Sequence, residues 1–211
     1  MSPLLIDEHE KILLWPDDLD EPGQNYQRLA NLTDDVEEEH MVILDDDGEM
    51  ARLYLRHVAS GEISANFLLE FDLTAPEGFP ERVPQVTSAF VNPDYRDAKL
   101  SQHVYRLVMG HYGVVVSDSH QTAGGMYIWL VMSRGHDVQI NVMKVRGDQL
   151  EYRLSGDEPE VYCGQVELLE QAGNTIWGGP EEVIDEINLV RLGFRPTHQN
   201  MQHVVLAARP A

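Results

Sequence analysis

The 211-residue sequence predicts an α/β protein built on one mixed, strongly twisted sheet, with early strands antiparallel, the fourth and fifth parallel, and helices on its faces. Three observations predict it. Residues 51–59 and 63–73 alternate apolar and polar side chains, the mark of strands with one buried face. A strand, an amphipathic helix and a second strand follow within 86–116, and a crossover of that kind joins parallel strands. A further helix at 124–133 and strand at 138–145 continue the alternation.

Residues 1–39 mix turn signals, Trp15-Pro16-Asp17-Asp18 and Pro22-Gly23, with a short helical stretch near Asn25–Leu32 and the acidic run Asp34–Glu39. They read as an N-terminal lid or tail outside the core. The first core strand begins at His40 with Met41-Val42-Ile43-Leu44, and Asp46-Asp47-Gly48 is a hairpin signal because such residues tolerate left-handed backbone. In the second strand Ala51, Leu53, Leu55 and His57 share a face; in the third, Ile63, Ala65, Phe67, Leu69, Phe71 and Leu73 do, with Ser60-Gly61 as the turn between. A loop rich in Gly and Pro, 75–84, leads to the fourth strand, 86–91, closed by Asn92-Pro93. Leu100, Val104, Leu107 and Val108 recur at helical spacing and predict a helix over 100–111, ended by Gly110 and Gly113. Val114-Val115-Val116 is then a short buried strand. Beyond 145, residues 150–154 and 161–168 read as extended, 180–190 as a helix with proline and acids in its first turn, and 203–207 as a closing strand. Residues 40–145 thus form the core, and 146–211 an extension that completes the sheet, forms a dimer interface, or both.

A hydrophobic fraction of 43% with 24% charged residues excludes collagenous, coiled-coil and wholly disordered classes. No apolar run approaches the roughly 18 residues of a spanning helix. The opening residues, which include Asp7, Glu8 and Glu10, lack the basic flank of a signal peptide. The single cysteine, Cys163, cannot form an internal disulfide and reads as a small buried hydrophobe, so the expected compartment is the cytoplasm. The net charge is −21, and it is unevenly spread. Residues 1–50 hold sixteen acids and two bases, residues 51–150 ten and nine, and residues 151–211 ten and four. The acidity surrounds a nearly neutral middle, and such a chain should repel nucleic acid and anionic membrane. The nine histidines form no metal motif, so no metal site is expected.

Chemistry concentrates in the segment Val91-Asn92-Pro93-Asp94-Tyr95-Arg96-Asp97-Ala98-Lys99-Leu100-Ser101. It resembles the central motif of the GCN5-related N-acyltransferases (GNAT), in which a strand ending V-x-P-x-Y-R leads through a glycine-bearing turn into a helix. The resemblance continues through Ser117-Asp118, Gln121-Thr122, Gly124-Gly125 and Ile128-Trp129, which look like a branch of GNAT-like proteins frequent in bacteriophages, and the element order over 40–145 is the family's. The resemblance implies that Val91 and Val116 border the pantetheine arm of acetyl-CoA, and that Arg96, Asp97, Ala98, Lys99, Leu100 and Ser101 hold its pyrophosphate. Independently of the family, exposed N–H groups at a helix start attract anions. Lys99 and Ser101 stand where the family usually has glycines.

Three residues are candidates for the chemistry. Tyr127, on the helix after the fifth strand, matches a family tyrosine that protonates the departing thiolate; its structural reading is a core aromatic. Glu70, on the polar face of the third strand, is placed to deprotonate an amine, or is a solvated strand residue. His57 is a second candidate base, or a satisfied core histidine. Ser117, Asp118 and His120 have the residue types of a hydrolase triad but no nucleophile turn.

The resemblance thus implies an N-acyltransferase moving an acetyl or acyl group from coenzyme A to an amine. The acidic surroundings favour a cationic acceptor such as a polyamine, an aminoglycoside or a lysine-rich segment. Two rivals remain open. One is a catalytically lapsed GNAT-like phage protein that binds and redirects a host enzyme in the bacterial cytoplasm, suggested by the missing glycines and the acidic N-terminus. The other is an acidic DNA mimic, whose partner binding should weaken with salt. Apolar residues after 150, among them Ile176, Trp177, Ile184, Ile187 and Leu189, suggest a homodimer.

Overall fold

The computed structural model describes residues 14–118, 123–164 and 204–211. Twelve strands, two α-helices and one 3-10 turn occur among them: β1 (Tyr26–Arg28), β2 (Leu32–Thr33), β3 (Glu39–Asp46), β4 (Met50–His57), β5 (Ile63–Glu70), β6 (Gln85–Val91), the turn Pro93–Ala98, α1 (Leu100–Tyr112), β7 (Val115–Val116), α2 (Ala123–Met132), β8 (Val138–Arg146), β9 (Gln149–Tyr152), β10 (Leu154–Ser155), β11 (Glu158–Pro159) and β12 (Val204–Pro210). The main sheet runs β1-β3-β4-β5-β6-β7-β12-β8-β9, with β2 also on β3. It is mixed and mostly antiparallel, with one parallel pair, β6 and β7. These are the fourth and fifth strands expected to be parallel.

The meander from β3 to β6 follows from its residues. Asp46 and Asp47 fold the first hairpin by accepting from the N–H groups of Gly48 (3.0 Å), Glu49 (2.9 Å) and Met50 (2.8 Å), and Gly48 supplies the left-handed backbone at φ 98. The pairing then sets Leu44 opposite Leu53 and His40 opposite His57. Between β4 and β5 the register passes from Leu55↔Ala65 to Arg56↔Ile63, leaving Ser64 unopposed as a bulge.

Strand alternation divides the interior in two. Val115, Leu206, Ala208, Ile140 and Val142 join the cluster that holds Leu53, Phe67, Val104, Val108 and Trp129. Val114, Val116, Val205, Ala207 and Met143 point to the opposite side, where Leu73, Ala75 and Phe79 roof them. Both described helices serve the first cluster, and Tyr105 of α1 meets Trp129 of α2 edge-on with ring centroids 5.7 Å apart.

Two differences from expectation have physical reasons. The helix expected near Asn25–Leu32 is instead β1 and β2, because Tyr26–Arg28 pair with Ile43–Asp45 along the sheet's edge and tertiary pairing overrides a weak local preference. Cys163 is exposed, not buried; it follows Tyr162, which alone of the pair turns inward. The closing strand forms, and it slots between β7 and β8, antiparallel to both. The helix expected at 180–190, most of the extended stretch 161–168 and the apolar residues from Ile176 to Leu189 lie outside the described residues. Among the described residues, no helix is long and apolar enough to cross a membrane.

Candidate functional site

β6 and β7 share a single rung, Gln85 opposite Val116. The Val116 N–H donates to the Pro84 carbonyl at 2.9 Å, and the Gln85 side-chain amide donates to the Ser117 carbonyl at 2.7 Å, which closes that end. β7 ends at Val116, so β6 continues to Val91 with no further strand beside it on this side among the described residues. Thr87 lies on this stretch of β6. The β5–β6 register passes from Leu68↔Ser88 to Leu69↔Val86, so Thr87 is a bulge residue, and its buried hydroxyl lacks a hydrogen-bond partner.

The 3-10 turn starts where the Asn92 side chain accepts from the Asp94 N–H at 3.2 Å, with Pro93 at its first position. Arg96 is exposed on this turn, its Nε donating to the Val91 carbonyl at 3.4 Å. Ala98 and Leu100 are buried in the core, so they can serve a ligand through backbone alone. Between them Lys99 adopts φ 55 and ψ 28, left-handed backbone that a glycine takes without strain, and it is the N-cap residue just before α1. Ser101 stands in the helix's first turn.

Lys99 Nζ bonds one carboxylate oxygen of Asp35, and His103 Nε2, one turn further along α1, bonds the other at 2.7 Å. The Asp35 N–H also reaches the Ala98 carbonyl at 3.4 Å. The Lys99 contact first, and His103 second, hold the Asp35 carboxyl below the usual carboxylate range, and the same contact raises Lys99. The loop that presents Asp35 is itself tied at both ends. Asp34 accepts from His40 at 2.9 Å and from the N–H groups of Val36 and Glu38, each at 2.9 Å, while His40 also meets Ser64 at 2.8 Å. Glu38 accepts from His57 Nε2 at 2.7 Å. Three acids of one five-residue stretch thus each bond a histidine from a different element: β3, α1 and β4.

His57 completes a second small network. Its Nδ1 lies 2.8 Å from the Ser60 hydroxyl and 3.2 Å from the Tyr95 phenol, and Tyr95 donates to Glu62 at 2.9 Å. Burial, chiefly, raises the Tyr95 pKa, and Glu62 adds to it against the opposing Ser60 contact.

The structure brings some of the expected residues together. Val91, Arg96, Asp97, Ala98, Lys99, Leu100 and Ser101 fall on one continuous stretch, from the end of β6 through the 3-10 turn into the first turn of α1. Val116 marks the single rung between β6 and β7, though its side chain belongs to the second core cluster. Tyr127 is exposed on α2 and near enough to Lys99 to act on its charge. Glu70 pairs with Gln85 at the joined end, whereas His57 ends β4 on the far side. Seven strand steps, roughly 23 Å, separate His57 from Met50, the partner of Glu70, so the two candidate bases do not share a site. Ser117 spends its hydroxyl on the Leu206 N–H at 3.0 Å in the interior, and His120 lies outside the described residues. Asp34, Asp35, Glu38, His40 and His103 carried no signal of their roles, because their partners are 6 to 68 residues away. Among the described residues no group of side chains could hold a metal ion. Compared with protein-family models, with curated proteins and with solved structures, the chain matches none.

Proposed function

We propose that this chain is a GNAT-like N-acyltransferase that moves an acyl group, acetyl in the simplest case, from coenzyme A to an amine. The observation that carries the reading is the single-rung parallel pair, Gln85 with Val116, after which β6 has no strand beside it on that side among the described residues. A strand leading in this way into a turn and a helix start suits a long ligand with amides in its arm and phosphates at its end. The bulge at Thr87 adds a buried hydroxyl without a hydrogen-bond partner on the same strand.

In this reading the acceptor amine attacks the thioester carbonyl, and the carbon–sulfur bond breaks as the amide forms. The Tyr127 hydroxyl returns a proton to the leaving sulfur, and the attacking nitrogen passes its own through water to Glu70, which pairs with Gln85 at the joined end. His57 is too far from Glu70 to share that work and serves the loop instead. The cationic acceptor follows from the chain's net charge of −21.

Calorimetric titration with acetyl-CoA and with CoA tests the reading. Saturable binding that is lost in Arg96→Glu supports it, together with thiol release when a polyamine is added. Absence of binding at millimolar ligand overturns it, unless the Asp35 variants below restore binding. The second reading, a lapsed protein of this kind that binds a host enzyme, is favoured by one observation: the helix start that should receive phosphate already holds Asp35. A stoichiometric partner retained by the Arg96→Glu, Tyr127→Phe variant would support it.

A further inference from the structure

We infer that residues 34–38 are a built-in plug, in which the Asp35 carboxylate occupies the anion seat of Lys99 and His103 and competes with an incoming phosphate. This rests on the reading above. Four observations lead to it.

The contact is two-pronged. One oxygen of Asp35 goes to Lys99 and the other to His103, and these two donors stand one turn apart on the same helix face, as a phosphate with two free oxygens would engage them. The plug is also presented, not adrift. Asp34 is anchored to His40 in the interior and Glu38 to His57 at the surface, so the residue between them is held over the helix start. Asp35 itself is only partly covered, with 36% of its side chain exposed, so it can leave without exposing core. Finally, Lys99 occupies left-handed backbone where a glycine would be unstrained, and its side chain is turned to the loop. The residue that departs from the family's pattern is the one that grips the plug.

A tethered carboxylate of this kind lowers apparent affinity without altering the site. If the loop is open in a fraction f of molecules, the observed dissociation constant is the intrinsic one divided by f. A plug seated nine-tenths of the time weakens binding about tenfold. The ligand class is a phosphate ester or pyrophosphate, for which Asp35 is the stand-in.

The experiment is titration of the full chain with inorganic pyrophosphate and, separately, with CoA, in wild type, Asp35→Asn, Asp35→Asn with Lys99→Ala, and Glu37→Gln. Glu37 is an exposed acid of the same loop outside the clamp, so its variant removes equal charge without unseating the plug. Expected is a gain of about tenfold or more in Asp35→Asn for pyrophosphate, abolished when Lys99 is also removed, with Glu37→Gln within about twofold of wild type. An equal gain in Glu37→Gln would reduce the effect to bulk charge and overturn the plug. Unchanged or weaker binding in Asp35→Asn would overturn it too, and CoA binding equally well to both would do so while leaving the transferase reading intact. A gain for pyrophosphate with no CoA binding by any variant would uphold the plug and overturn the coenzyme. Silence of every variant toward both ligands would overturn plug and transferase together.

Discussion

His40 donates its Nε2–H to the Asp34 carboxylate at 2.9 Å, and both side chains are wholly shielded from solvent. The direction of that bond follows from the acid, because an ionised carboxylate only accepts. The other ring nitrogen, Nδ1, meets the Ser64 hydroxyl, 2.8 Å away on the β5 bulge. A buried polar group is tolerated here because every partner is present, so removal of one leaves the other stranded.

His40→Ala and Asp34→Ala should each cost about 3–5 kcal/mol in urea unfolding, and the double variant clearly less than their sum. Desolvation, the largest influence, pushes the Asp34 pKa up. The bonds from His40, Glu38 and Val36 together outweigh it, and the folded value lies below the ordinary one. A lowered folded pKa stabilises the fold above the unfolded pKa, about 3.9, and that contribution fades as pH falls from there through the folded value. Over that acid window wild type should lose stability more steeply than Asp34→Ala. Parallel slopes would contradict an ionised Asp34.

A second brace lies at the other end of β3. Arg82 donates twice to Asp46, at 2.7 and 2.9 Å, while Tyr112 at the close of α1 donates to the same carboxylate at 2.8 Å. Arg82 also lies 3.8 Å over the Phe71 ring, so it fastens the 73–84 loop to both strand and helix. Arg82→Met should lower stability by about 1–3 kcal/mol, and Tyr112→Phe by about 1. Midpoints of urea curves with unchanged slope are the measurement.

The meander was legible because its side chains alternate over eight-residue strands, long enough for a period of two to declare itself. β1 was not, since Tyr-Gln-Arg is three residues and its conformation is imposed by Ile43, Leu44 and Asp45 across the edge. The closing strand could be read from residues 203–207, but its slot between β7 and β8 is a property of the sheet and of no local pattern. At the candidate site the turn from Pro93 to Lys99 could be read as a motif. The loop that grips it could not, because an acidic run looks the same whether its acids face water or histidines on three other elements.

Lys99 is strained by its backbone and secured by its side chain, and two substitutions separate the effects. Lys99→Ala and Lys99→Gly both lose the contact to Asp35, worth little at an exposed site. Only glycine accepts φ 55 freely. Lys99→Gly should therefore be more stable than Lys99→Ala by about 1 kcal/mol. Equal stabilities in thermal or urea unfolding would mean that the left-handed turn is not held in solution.

Thr87 offers the last test, in which stability and function pull apart. Its hydroxyl is buried at the bulge of β6 without a hydrogen-bond partner, so the protein bears a desolvation cost there. Valine has the same shape and no hydroxyl. Thr87→Val should raise stability by about 1 kcal/mol, the reverse of what a core substitution usually does. If the hydroxyl is kept for a ligand lying along the open edge between Gln85 and Val91, the same variant should bind CoA several-fold more weakly than wild type while melting at a higher temperature. A loss of stability would show that the hydroxyl is satisfied in solution. Gained stability with unchanged CoA binding would place the ligand's path away from the bulge.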